Sequence, residues 1–366
     1  MSTILFFINL FIILVSFSSE AYEVNHLIRP FSNFETAATN NTCSTLKNSR
    51  LAIACNPALF ANSKYKQLGA HFITKSEGKS IENTKELLFT KIQEPFLKKL
   101  FTNNSFSSFT LNSNIEFYNP QFLLSYSPYY LIADFLIINP VFPEVAMVLK
   151  KRSTLKITRG DDLSRLLKLK KVTWQVGASL SYFTEKSTNT SFPLIDLGLV
   201  PVETLVNLKK HSGIMADIGS FIELKDFLYF PQLSIQIRNL GASHHTDGSR
   251  INSHRLLELR EIEETYSSVG IGENLNTRFG LFYAGLELPF IGIFQQNRQT
   301  ISASGRFSLG YFNTYEGFSS YSQTAGFLVS SPNSSIGILY GHEKEIKNYN
   351  VESDHVVYLG LEVGTQ

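Results

Sequence analysis

Residues 172–183 read VTWQVGASLSYF, and their alternation constrains the chain more than any other feature. Trp174, Val176, Ala178, Leu180 and Tyr182 fall on one side of an extended strand. Thr173, Gln175, Gly177, Ser179 and Ser181 fall on the other, because successive strand side chains point to opposite faces. The same period of two recurs in KQLGAHFITK (66–75), PQLSIQIRNLG (231–241), TISASGRFSLGY (300–311) and HVVYLGLEVG (355–364). Weaker candidates cover 112–127, 144–159, 213–224, 255–272, 276–290, 319–330 and 333–343. The spacers carry Asn, Ser, Gly, Asp and Pro, as turns do. The total is roughly twelve to fourteen strands, which lies in the range of closed membrane barrels.

The polar side of each strand decides between architectures. A face open to bulk water carries Lys, Glu and Thr. Here it carries mostly Ser, Gly and Gln, which suit a confined interior. The opposite face is aliphatic and aromatic. Charged residues are only 17% of the chain, against about 25% in typical soluble domains, while Phe numbers 30 and Tyr 16. Past the N-terminus the longest apolar stretch is Phe122–Leu149, and Pro128, Asp134, Pro140 and Pro143 interrupt it. No membrane helix is expected there. Only helices and closed barrels satisfy their backbones in lipid. The expected fold is therefore all-β, a transmembrane antiparallel β-barrel with a few short helices. A secreted soluble β-sandwich is the competing architecture.

The N-terminus reads as a secretory signal over residues 1–21. Ile4 to Phe17 is apolar apart from Asn9 and Ser16, and Ser19-Glu20-Ala21 fits a cleavage site. An uncleaved anchor is the alternative. Lys and Arg total 33 against 31 Asp and Glu, so no basic field exists for nucleic acid. Export makes the two cysteines interpretable. In an oxidising compartment Cys43 and Cys55 pair, closing a short loop for about 3 kcal/mol; the alternative is two free thiols. Residues 22–65 then form an N-terminal segment, and 66–366 the barrel domain. Within the latter, Ile81, Leu87, Leu88, Ile92, Phe96, Leu97 and Leu100 recur at helical spacing. They predict an amphipathic helix near 80–101, packed on the protein's own core.

Catalytic signatures are missing from the sequence. There is no nucleophile elbow, zinc-protease helix, phosphate-binding loop or dinucleotide fingerprint, and two cysteines cannot build a thiolate cluster. No enzyme activity, cofactor or metal is expected. His244-His245-Thr246-Asp247, with His254 nearby, reads as a solvated loop. Asp161-Asp162 reads as a helix cap, and Lys168, Lys170 and Lys171 as an interfacial or periplasmic turn.

Two motifs then carry a resemblance. Asn56-Pro57-Ala58-Leu59-Phe60-Ala61 lies shortly before the first alternating strand, and Arg238-Asn239-Leu240-Gly241 ends a mid-chain strand. This layout resembles the superfamily of the long-chain fatty-acid outer-membrane transporter (FadL-like), with its PorV-type and TraF-like relatives. Phe142-Pro143-Glu144-Val145, after Asn139-Pro140, is most similar to the TraF-like branch. The resemblance implies a bacterial outer-membrane barrel, with residues 22–65 as a plug-like segment and Asn56, Pro57 and Ala58 as its turn. It implies contact with outer-membrane lipid and passive uptake of hydrophobic small molecules such as fatty acids. The second reading is a scaffold barrel that binds secretion or conjugation proteins. On the alternation alone, the lumen-facing candidates are His71, Gln175, Gln236, Arg238, Arg306 and Glu362. A one-residue slip would move any of them to the other face.

Overall fold

The computed structural model describes residues 33–40, 42–47, 49, 51–62, 66–77, 106–138, 144–193, 196, 208–225, 231–241, 266–277, 280–289, 301–319, 322–331, 334–347 and 350–365. The signal segment expected at 1–21, the helix expected near 80–101 and the His244–His254 cluster lie outside the described residues.

Fourteen strands form one closed barrel in sequence order. They are β1 (Gln67–Glu77), β2 (Phe106–Asn119), β3 (Phe122–Ile138), β4 (Glu144–Asp162), β5 (Val172–Pro193), β6 (Lys209–Leu224), β7 (Gln232–Leu240), β8 (Tyr266–Thr277), β9 (Gly280–Pro289), β10 (Ser302–Leu309), β11 (Phe312–Ser319), β12 (Ser322–Ser330), β13 (Ser334–Lys347) and β14 (Asn350–Thr365). Every neighbouring pair is antiparallel, and β1 closes the ring against β14. The register holds the two faces apart. Phe72 lies opposite Leu361 on the outside, and His71 lies opposite Glu362 on the inside. Closure leaves no unpaired strand edge, which lipid would not tolerate.

The outer surface is apolar where the strands cross. Leu155, Leu180, Tyr182, Ile214, Ile235 and Leu361 are all exposed. On β4 this apolar stretch lies between Lys151 and Arg159, both exposed. That separation is about 27 Å along a strand, or roughly 20 Å once a barrel tilt near 40° is allowed for. The result approaches the height of the apolar band on membrane barrels.

The strand connections differ between the two ends. One end carries 120–121, 163–171, 225–231, 278–279, 310–311 and 331–333. The other carries 78–105, 139–143, 194–208, 241–265, 290–301, 320–321 and 348–349. The sequence spans between strands are on average shorter at the first end, the usual asymmetry of outer-membrane barrels. At the short-turn end, Asp162 caps a one-turn helix, Leu163–Leu166, by accepting from the Ser164 amide at 3.0 Å. Lys168, Lys170 and Lys171 follow it in the same exposed turn.

The structure differs from the sequence reading at 112–127. That stretch crosses a tight turn at 120–121 and contributes to two strands, β2 and β3. Pro128 does not break β3. The register shifts between Ser127 and Tyr130, and a bulge accommodates a residue that cannot donate to the ladder.

Residues 33–62 lie inside the ring. They hold a five-residue helix, α1 (Phe34–Ala38), and two 3-10 turns at Leu51–Ala54 and Pro57–Asn62. Asn33 caps α1 with a reciprocal pair of bonds to Thr36. One cluster packs Leu46, Ala52, Leu59 and Phe60 against Tyr118, Phe221 and Tyr283 of the wall. A second packs Phe34 and Ala38 against Tyr315, Leu339 and Tyr358.

Candidate functional site

The plug is fixed at three levels: covalently, by polar anchors and by close approach to glycine. Cys43 and Cys55 form a disulfide with Cα atoms 5.7 Å apart, within the ordinary range. Between them runs a loop whose Ser44 and Thr45 side chains meet Ser234 and Tyr283 of the wall. Asn56, fully buried, organises this element. Its side-chain amide donates to the Ser44 carbonyl at 3.1 Å and the Ser220 carbonyl at 3.2 Å. Its Oδ1 accepts from the Ala58 amide at 3.0 Å. One side chain thus ties the loop, the turn and β6 together. Pro57 presets the backbone for the turn that follows.

The wall is cut back where the plug touches it. A β-carbon on Gly177 would meet the Pro57 carbonyl at 2.4 Å, and one on Gly219 would meet Asn56 Oδ1 at 2.1 Å. Across the barrel, a β-carbon on Gly337 or Gly360 would strike the Phe34 ring at 2.4 Å. Inward glycines are therefore the seats of the plug.

A buried acid holds the other half. Glu35, fully buried in α1, accepts from Arg306 Nη1 at 3.2 Å, from the Tyr315 hydroxyl at 3.3 Å and from Ser49. Burial raises its pKa, and the Arg306 charge with the Ser49 and Tyr315 hydrogen bonds pulls it partly back. Arg306 also donates to Asn313 Oδ1 at 3.0 Å. Lys47 of the plug pairs with Glu223 of β6 at 2.5 Å. Ser304 donates to the Thr42 carbonyl at 2.7 Å, and Thr324 to the Ala38 carbonyl at 3.0 Å.

The six lumen candidates occupy distinct places. Gln175 and Gln236 are buried at 1% exposure. Gln236 donates to Ser268 at 2.9 Å and to Glu287 at 2.8 Å. His71, buried, lies 3.2 Å from Glu116 and 3.1 Å from the Asn114 amide. Glu362 accepts from Ser335 at 2.8 Å, and Arg238 lies opposite Tyr266 of β8. Arg306 reaches the plug through a side-chain bond to Glu35. His71 and Glu362 face each other across β1 and β14; Gln236 and Arg238 share β7, while Gln175 and Arg306 stand apart on β5 and β10.

Sequence reasoning missed the ion pairs of the upper lumen. Arg152 and Lys150 both engage Glu185, at 2.9 and 3.4 Å, and Arg152 stacks over Phe183 at 4.7 Å. Lys156 pairs with Asp217 at 2.6 Å. The lining is thus charged and aromatic as well as small and polar. A signal existed: these cations and acids occupy inward positions of alternating strands. The Arg238-Asn239-Leu240-Gly241 motif also gains a structural reason. Asn239 adopts a φ of 58°, a left-handed conformation that Asn tolerates. Its amide donates to Asp217 at 3.0 Å, beside the register shift between Ala216 and Ile218. Among the described residues, no group of three or more His, Cys, Asp or Glu is placed to hold a metal.

No family model matches the sequence, and no curated protein matches it. Solved structures do match the fold. The toluene transporter TbuX of Ralstonia pickettii aligns with a TM-score of 0.51 at 9% identity, over 92% of this chain and 99% of that one. The monoaromatic hydrocarbon channel CymD aligns at 0.48 with 10% identity, over 90% and 96%. The Pseudomonas putida toluene transporter TodX aligns at 0.46 with 9% identity, over 90% and 96%. The closed fourteen-strand barrel and the alignment with TbuX give this chain the fold of that toluene transporter.

Proposed function

We propose that the chain is a bacterial outer-membrane barrel for passive uptake of hydrophobic small molecules, gated by its N-terminal plug. The observation that carries this reading is the mode of plug attachment. Residues 33–62 fill the lumen without adding a strand to the sheet, and side-chain contacts from Asn56, Glu35, Lys47 and Asn40 hold them there. Such contacts exchange one at a time with water or solute, whereas a sheet ladder does not. The likeness to a toluene transporter supports an apolar cargo. The inward side chains of the six lumen candidates, together with Arg152, Glu185 and Asp217, line the route. Catalysis has no part in it.

The test is uptake by intact cells. Cells expressing the chain should accumulate labelled toluene or oleate faster than cells lacking it, and a labelled sugar at the same rate. Equal accumulation of both hydrophobic solutes with and without the chain would overturn the uptake reading and leave the scaffold reading.

A further inference from the structure

Three lysines stand in one row on the lipid-facing side of the barrel. Lys151 of β4 lies directly opposite Lys186 of β5, and Lys186 lies directly opposite Lys210 of β6. All three are exposed. Adjacent strands are about 4.8 Å apart, and like charges directly opposite each other destabilise a sheet. Among the described residues none of the three has a carboxylate partner. Lys151 is supported instead by the Tyr129 ring, 4.6 Å from its Nζ, and Tyr129 is itself exposed on the outer wall. The repulsion within the row is therefore not compensated by the described parts of the protein.

The neighbouring rows define what compensates it. Next along the same face come Ser153, Thr184 and Ser212, again in register, with Ser153 and Thr184 hydrogen-bonded at 2.9 Å. Beyond them come Leu155, Tyr182 and Ile214, all exposed. Cations, then hydroxyls, then an apolar surface repeat the order of an anionic lipid: phosphate, polar backbone, acyl chain. The row lies toward the end that bears connections 139–143 and 194–208, the outer side of an outer-membrane barrel.

We propose that the outer face of β4, β5 and β6 is a binding site for a phosphorylated lipid of the outer leaflet. Lys151, Lys186 and Lys210 hold its phosphate, and Leu155, Tyr182 and Ile214 carry its acyl chains. This rests on the membrane-barrel reading and is independent of the cargo.

The full chain in a nonionic detergent provides the test, with doubly phosphorylated lipid A as the probe and phosphatidylcholine and inorganic phosphate as comparisons. Native mass spectrometry and thermal unfolding are read together. Lipid A should bind and raise the unfolding temperature, and neither comparison should do so. Each of Lys151→Gln, Lys186→Gln and Lys210→Gln should weaken lipid A binding about fivefold. The triple variant without lipid should be at least as stable as the parent, because the repulsion is gone. Lys170→Gln, in the exposed turn at the opposite end, should leave lipid A binding unchanged. Equal binding of lipid A by the parent and the triple variant would overturn the proposal. So would equal stabilisation by inorganic phosphate or phosphatidylcholine. Failure of the barrel reading would look different: the parent would lack heat-modifiable migration and stay soluble without detergent.

Discussion

Gly177 lies so close beneath Pro57 that a β-carbon would meet the proline carbonyl carbon and oxygen at 2.4 Å and the Ala58 amide at 2.5 Å. These are backbone atoms of a turn already fixed by Asn56, so they cannot rotate away. Gly177→Ala should push the plug off β5 and cost about 1–3 kcal/mol. Gly305→Ala, where the nearest atom is 3.8 Å away, should change stability by no more than about 0.5 kcal/mol. Protease protection of residues 33–62, measured on both variants in detergent, checks this. The plug of Gly177→Ala should be cut faster while the barrel stays intact.

Glu35 gives the plug a pH dependence whose sign follows from its burial. Its pKa in the folded protein is raised above the ordinary 4.5, so the docked plug binds the proton more tightly than the released one. That contribution is fully present below 4.5 and is lost as pH rises through the higher folded value. Acidification should therefore tighten the plug in the parent relative to Glu35→Gln, which lacks the titration. Arg306→Met leaves the carboxylate without its cation and should cost about 3–5 kcal/mol at neutral pH, with recovery in acid. Hydrogen exchange in α1 across pH 4 to 7, roughly the span in which a raised carboxylate titrates, reads both effects. Tighter docking at the higher pH would contradict the assignment.

The barrel was legible because alternation survives in single strands. In β5 and β7 the serine and glutamine positions read from sequence are the buried ones, and Leu180 and Ile235 on the opposite face are exposed. The third strand was obscured because Phe122–Ile138 is apolar on both faces over much of its length and contains Pro128; period two has nothing to alternate with there. The plug anchors were hidden for another reason. Glu35 and Arg306 are 271 residues apart, and α1 is too short to show a helical period. Gly177 and Gly360 were visible in alternating strands, and Gly219 and Gly337 only in the weaker strand candidates. Their meaning as seats depends on what lies inside the ring, which strand pattern alone does not contain.

Cys43 and Cys55 close a loop with a sequence separation of 12, for which chain entropy gives about 3 kcal/mol. The loop belongs to the plug, so reduction should act locally. Replacing both cysteines with serine should expose residues 33–62 to protease and speed their hydrogen exchange. Heat-modifiable migration of the barrel should persist, since the fourteen strands pair without the plug. Mass spectrometry of the unreduced parent should find no free thiol. A barrel that fails to assemble without the bond would show that the inner segment guides folding of the strands.

Leu155 lies midway between Lys151 and Arg159 on the outer side of β4, and 47% of its surface is exposed. If the apolar rows face acyl chains, this is the depth at which a cation is hardest to accommodate. Leu155→Arg should destabilise the barrel in lipid by about 2–4 kcal/mol. Ser153→Arg, one row nearer the lysines, should cost about 0–1 kcal/mol, because its long side chain reaches the interface. Lys151 and Arg159 already show that the chain tolerates cations at the two borders of the belt. Unfolding in urea from lipid vesicles measures the difference between the two variants. Equal costs would mean that β4 does not see a membrane midplane at Leu155, and the depth assigned to the lysine row would fall with it.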